Sequence, residues 1–318
     1  MIPFAGPNWF IYPHSRYVES TGFNRGILGF GDTGAGYSSQ NRSLSFSTYT
    51  ETTHTAFGIN KIQGMQCASP THVYSMKGYS SAGAYTSNIT KIQGFTNAES
   101  TVTIGFTTER RGGCVPMPHF QRARMYYAGG YSDSLAQYRT DITYVIQNTD
   151  TGVTVGAVLN TAKHMGGTFF NRTDAFFLDG YTTGGGGTSA MDKYTFSNDT
   201  IATSTADPSG AVQAPNTFSN DIVGYRIQGV GIGYTNNRKW TFSSSTWSTT
   251  VNTGVNSGQI FGSGQYVTPT EGAIWGGYND FFAKRLVYRL AWATETWTDS
   301  SYTTGDANAG FIYWVTTY

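Results

Sequence analysis

Charge is scarce in this sequence. Lys, Arg, Asp and Glu make up 12% of the 318 residues and the net charge is +1; the ordinary charged share is about 25%. A chain so sparsely and evenly charged has no overall field for holding nucleic acid or an anionic membrane surface. Cysteine is nearly missing too. Cys67 and Cys114 are too few for a disulfide framework. They could bridge neighbouring units of the chain or stand as two separate thiols, and the second is preferred. No apolar run approaches the ~20 residues that cross a membrane as a helix, and no long stretch carries the helical period. The opening residues, Met1-Ile2-Pro3-Phe4-Ala5-Gly6-Pro7, lack the basic and apolar regions of a secretory leader.

What is plentiful is glycine (40), tyrosine (22) and phenylalanine (20), with many Ser and Thr. Aromatic and β-branched residues build strands, and hydroxyls solvate their outer faces. The expected class is all-β.

A glycine followed by an aromatic or apolar residue closes a short apolar run six times: Gly29-Phe30, Gly78-Tyr79, Gly130-Tyr131, Gly180-Tyr181, Gly229-Val230 and Gly277-Tyr278. The even stride of about 50 residues means one supersecondary unit copied six times, and short strands at that period indicate a propeller blade. Glycine at the end of a strand suits a bend or a close approach where a side chain would collide. After each glycine comes a second marker: Glu51-Thr52, Glu99-Ser100, Asp150-Thr151, Asp199-Thr200, Ser245-Thr246 and Glu295-Thr296. These read as tight turns between antiparallel strands, their side chains bonding backbone amides. Groups repeated once per blade are spread around a ring, so they do not converge as catalytic acids or metal ligands.

The expected fold is a six-bladed propeller of four-stranded antiparallel blades, one domain over residues 1–318. The blades lie near 13–60, 61–111, 112–162, 163–209, 210–257 and 258–306. In the fourth, the strands are expected at 166–170, 175–178, 193–196 and from Ile201 onward. Residues 307–318 supply a closing or neighbour-pairing strand, since 310–315 repeats the first-strand pattern of 257–261. Residues 16–20 compete for the same place in the first blade, and 8–12 could cover an edge.

Candidate chemistry is thin. Arg110, Arg111, Arg122 and Arg124, with His119 and no acid among them, could touch phosphate, an acidic glycan or a partner; a solvated loop or intersubunit surface is the plainer alternative. His14, His119 and His164 precede marker glycines, but their spread over three blades favours satisfied polar roles over a metal site. The glycine run 184–187 lacks the helix start and lysine of a phosphate cradle and is expected to be a flexible loop. Trp9, Trp275 and Trp314 could stack on sugar rings or, the preferred alternative, pack between blades. No cofactor or metal is expected.

Asp179-Gly180-Tyr181, Gly276-Gly277-Tyr278, Ser245-Thr246-Trp247 and Glu295-Thr296-Trp297 resemble the kelch repeat, with its double glycine, acidic turn and tryptophan. The closer likeness is to a divergent kelch-like group known from tailed-bacteriophage structural proteins, in stretches such as Arg16-Tyr17 up to Gly22 and Phe196-Ser197-Asn198-Asp199-Thr200. The double glycine is complete only at 129–130 and 276–277, and the tryptophan survives in two blades. The resemblance implies a non-enzymatic virion protein of a tail, nozzle, fibre or capsid-associated element, assembled in the host cytoplasm and docking other virion proteins and copies of itself. The alternatives are a glycan- or receptor-binding module and, third, an enzyme such as a copper radical oxidase or glycan-cleaving protein. Against the oxidase, both cysteines fall in early blades without an accompanying ligand pair.

Overall fold

The computed structural model describes the strands between residues 25 and 119, most of 124–249, the strands between 264 and 300, and Ile312–Tyr313. Every regular element among the described residues is a β-strand. They form six four-stranded antiparallel sheets. Sheet II contains Met65–Ala68, His72–Met76, Ile89–Gln93 and Glu99–Val102. Sheet III contains Cys114–His119, Arg124–Ala128, Asp141–Ile146 and Thr151–Val158. Sheet IV contains Gly167–Phe170, Asp174–Leu178, Met191–Thr195 and Thr200–Ser204, close to the strand positions expected from the sequence. Sheet V contains Asn216–Ser219, Val223–Ile227, Arg238–Thr241 and Thr246–Thr249. Sheet VI contains Gly264–Val267, Glu271–Trp275, Val287–Ala291 and Thr296–Ser300; its first strand is not the stretch 257–261, which lies outside the described residues.

Sheet I differs in its chain order. It runs Glu51–His54, Asn41–Ser45, Arg25–Gly29 and then Ile312–Tyr313, with Ile27 opposite Tyr313 and Leu28 opposite Ile312. Ile312–Tyr313, from the 310–315 segment, thus pairs with the opening repeat; the rest of that segment lies outside the described residues. The competing segments 8–12 and 16–20 lie outside the described residues. The first strand of sheet IV lies against those of sheets III and V, and Ile312–Tyr313 lies against both Gly264–Val267 and Met65–Ala68.

Small sheets with two apolar faces have to share them. In sheet III, Met125 and Tyr127 pack with Tyr74 and Ile89 of sheet II. The alternate residues Tyr126 and Ala128 pack with Ala175, Phe177, Tyr194 and Phe196 of sheet IV. The period of two along one strand thus feeds two different cores. Phe176, Leu178 and Met191 then meet Trp240 of sheet V, and Phe218, Tyr225 and Ile227 meet Tyr288 and Leu290 of sheet VI. Each such buried ring contributes roughly 1.5–3 kcal/mol. Close approach requires a small partner: a Cβ on Gly224 would fall 2.5 Å from the Phe169 ring, and one on Gly272 would fall 2.6 Å from Phe218.

Polar bonds join sheets IV and V at a constant offset. Thr168 N–H donates to Thr217 Oγ1 (2.9 Å), Phe170 N–H to Ser219 Oγ (3.0 Å) and Arg172 Nε to Asp221 Oδ2 (2.6 Å), each across 49 residues. Ser219 Oγ returns a bond to Phe170 O at 2.8 Å. One repeat is therefore bonded to the equivalent place in the next.

The second marker is a turn residue, as expected, at four of its six places, with its own backbone signature; Glu51 and Glu99 are instead the first residues of their outer strands. Asp150, Asp199, Ser245 and Glu295 all have left-handed φ, from 52 to 53°. In the loops 196–199, 242–245 and 292–295 the marker is the last residue before the outer strand. At three of the four the carboxylate bonds side chains. Asp150 accepts from Lys91 Nζ (2.9 Å) and Tyr74 Oη (3.1 Å) of sheet II, Glu295 from Lys239 Nζ of sheet V (2.6 Å), and Asp199 from Tyr194 Oη (2.6 Å). Tyr74 faces Lys91 in register, and Tyr225 faces Lys239. The same Tyr–Lys pair thus reaches the next sheet's turn twice.

Candidate functional site

The marker glycines Gly130 and Gly180 have φ of +102 and +101°, a backbone region costly for residues with a Cβ. Gly129, completing the double glycine, is also left-handed at +66°. Gly130 N–H donates to Lys163 O, and Gly180 N–H to Val212 O, both at 2.8 Å. In each case the connection to the next sheet passes back over the glycine. A Cβ on Gly180 would lie 2.7 Å from His164 O, so the expectation of a close approach holds there. Gly29 ends its strand, while Gly78, Gly229 and Gly277 lie outside the described residues.

Where the connections cross, charge is buried. Lys163 is fully buried, its Nζ 3.2 Å from Asp192 Oδ2, and it donates to the carbonyls of Ala190 (2.9 Å) and Phe177 (3.3 Å). Asn160 Nδ2 bonds the other oxygen of Asp192 at 2.8 Å. Between sheets IV and V, Arg226 Nη1 lies 2.9 Å from Asp207 Oδ2 and 3.4 Å from Asp179 Oδ2, with all three side chains buried. The shorter contact assigns the ion pair to Asp207. Burial pushes the Asp179 carboxyl up to about 7, against the opposing pull of Arg226, so Asp179 holds its proton well above the usual carboxylate range. Two acids around one guanidinium cannot both be fully charged at low cost.

The basic cluster expected from the sequence is only partly within the described residues. Arg110, Arg111 and Arg122 lie outside them. His119 and Arg124 face each other across the first hairpin of sheet III. Arg124 does not reach out to a polyanion as a bare charge: its guanidinium lies 4.3 Å from the centre of the Tyr144 ring. Its pKa is raised by a hydrogen bond with Tyr126 first and, among smaller effects, by the charge of Asp199.

A concave site lies elsewhere, over the connections between second and third strands of sheets III and IV. Tyr131–Ser132 pairs with Gln137–Tyr138 as a two-stranded ribbon, turned by the left-handed Ala136 (φ 48°) and by Leu135 N–H bonding Ser132 Oγ at 3.4 Å. His164 and Tyr181 exchange both backbone bonds, at 3.0 and 2.8 Å. The resulting open cleft of about 570 Å³ is lined by Tyr131, Ala136, Gln137, Tyr138, His164 and Thr183. Its rings touch in series: Tyr131 to Tyr138 at 5.1 Å, Tyr138 to His164 at 5.1 Å and His164 to Tyr181 at 5.1 Å between centres. Burial raises the Tyr181 pKa, aided by Tyr138. Gly186 and Gly187, from the glycine run, flank this site and are anchored, since Thr182 N–H and Oγ1 both donate to Gly186 O (2.9 and 3.1 Å) and Gly187 bridges to Tyr181; Gly184 and Gly185 lie outside the described residues.

Sequence reasoning placed His164 correctly before its glycine but did not bring it to this cleft. The signal was there in Gly-Gly-Tyr at 129–131 followed by Tyr138, yet no Asn-Gly or Asp-Gly marks the turn. Trp9 and Trp314 lie outside the described residues, as does the side chain of Trp275. Trp240, Trp247, Trp292 and Trp297 pack against neighbouring aromatic rings. The side chains of Cys67 and Cys114 are also outside the described set. Among the described residues, no group of three or more His, Cys, Asp and Glu side chains could hold a metal ion.

No family model matches the chain, and no curated protein does. Among solved structures, one described as "Structure of YjhT" superposes with a TM-score of 0.72 at 14% identity, over 87% of this chain and 95% of that one. So low an identity speaks for the fold alone, an all-β, propeller-like array of four-stranded antiparallel sheets.

Proposed function

We propose that the chain is a non-enzymatic structural protein of a virion, a six-bladed kelch-like propeller that serves as a rigid docking scaffold for other virion proteins and for further copies of itself. The ring reading is supported by six four-stranded sheets in chain order and by Ile312–Tyr313, which neighbours the first strands of both sheet II and sheet VI. One observation carries the scaffold reading: among the described residues, most ion pairs run between sheets. Lys91 with Asp150, Arg226 with Asp207 and Lys239 with Glu295 each join one sheet, or the connection leading from it, to the next. Such pairs hold neighbours in one relative position and leave little titratable chemistry for turnover. Loops from every sheet would then be presented at fixed spacing, with exposed apolar side chains such as Leu135 and Ile222 available to partners.

The test is location. Antibodies against the recombinant chain should decorate particles purified from the cells that express it, at one fixed place on each particle, and mass spectrometry should find the chain in those particles at constant stoichiometry. Abundance in the lysate with absence from particles overturns the reading.

A further inference from the structure

The parts of the tyrosine-lined cleft are fixed from several directions. Gly130 N–H bonds Lys163 O, Arg139 N–H bonds Gly130 O, and His164 and Tyr181 are locked backbone to backbone. Lys163, which precedes His164, is itself bolted into sheet IV by its buried ammonium. A recess held this way needs little ordering when a ligand arrives, and its volume is in the range of small-ligand sites, about 300–1,000 Å³.

The chemistry of the walls selects the ligand. Among the described residues, none of the lining side chains is an acid, a lysine or an arginine, and Arg139, next in sequence, is paired with Asp141 at 2.9 Å. An acidic sugar or a cation would therefore lose hydration without gaining a counter-charge. The rings touch one another at centre distances of 5.1–6.1 Å, but Tyr131 stands at 72° to Tyr138 and Tyr138 at 61° to His164, so the platform offered to a flat ligand is the face of a single ring. Beside the platform stand an amide, Gln137, and a hydroxyl, Thr183, both exposed. A flat molecule with C–H groups on its face and hydroxyls around its edge matches both features, and a pyranose has that shape.

We propose that this cleft binds a neutral pyranose unit of a glycan, with one C–H face on Tyr138 and the ring hydroxyls bonded to Gln137 and Thr183. The site is independent of the scaffold reading, which rests on particle location and is untouched by either result below.

Saturation-transfer NMR on the full chain tests it, with methyl β-galactopyranoside, methyl α-glucopyranoside and methyl β-N-acetylglucosaminide as probes and N-acetylneuraminic acid as the charged comparison. Transfer to the ring C–H protons of at least one neutral probe is expected. Tyr138→Ala should weaken that probe about tenfold or more, on the scale of losing an aromatic contact. Gln137→Ala, an exposed position whose loss leaves the sheets intact, should weaken it by a factor of a few. Ile222→Ala, remote from the cleft, should change nothing. Silence from all three neutral probes, transfer unaltered in Gln137→Ala and Tyr138→Ala, or preference for the charged sugar overturns the proposal.

Discussion

The contacts at the outer turns and those beneath the crossing connections use the same chemistry in opposite surroundings. Lys91–Asp150 and Lys239–Glu295 are short ion pairs, at 2.9 and 2.6 Å, but their side chains remain 17–39% exposed. Arg226 with Asp207, and Lys163 with Asp192, are longer or equal in distance, at 2.9 and 3.2 Å, and buried to 1% or less. Distance is therefore a poor guide to importance here. In water a charge released from its partner is hydrated, whereas beneath the connections it is stranded.

Removing the guanidinium between sheets IV and V should give the largest effect. Arg226→Met leaves Asp207 buried without its nearest cation, and urea unfolding should show a loss of about 3–5 kcal/mol. A loss under ~1 kcal/mol would place this pair with the exposed ones. Next comes a purely steric probe of the same seam. Gly224→Ala puts a methyl group into the Phe169 ring and should cost about 1–3 kcal/mol, visible as a lower urea midpoint with an unchanged slope.

Acidity sharpens the contrast further. Asp179 titrates near its ordinary 3.8 when unfolded and at about 7 when folded. Below both values it is protonated in either state; between them only the folded protein keeps the proton. Its contribution to stability is thus fully present in acid and declines as the pH rises through that window. The urea midpoint of the wild type should fall relative to that of Asp179→Asn between about pH 4 and about pH 7, and parallel curves would refute the assignment. The smallest effect belongs to the rim. A double-mutant cycle on Lys239→Ala and Glu295→Ala should return a coupling of about 0.2–1 kcal/mol, reduced by salt; several kcal/mol would erase the distinction between rim and interior.

The parts of this architecture that repeat were readable in sequence, and the parts that do not were hidden. Gly130 and Gly180 stand out because no side chain tolerates their φ beside a crossing backbone, so every comparable unit needs glycine in that place. Asp150, Asp199 and Glu295 were recognisable as turn residues for a similar reason, though their partners were not: a lysine alternating along a strand gives no hint whether it points to water or to the next sheet's carboxylate. Arg226 was invisible altogether. It sits in Val-Gly-Tyr-Arg-Ile, where alternation alone would let it face solvent, and its partners Asp179 and Asp207 belong to other elements. The cleft escaped notice because its tyrosines and histidine come from three separate connections, brought together only by the backbone exchange at 164 and 181.

Sheet I joins a strand near the beginning of the polypeptide to one near its end. During synthesis Arg25–Gly29 emerges early, whereas Ile312–Tyr313 leaves the ribosome after all the other sheets have been made. Until then one edge of the first-made sheet is without its final neighbour, an invitation to pair with another nascent chain. Completing the fold depends on a contact between distant parts of the sequence, which slows folding, and a ribosome that stalls before codon 312 would release a protein correct in five sheets and sticky in the sixth.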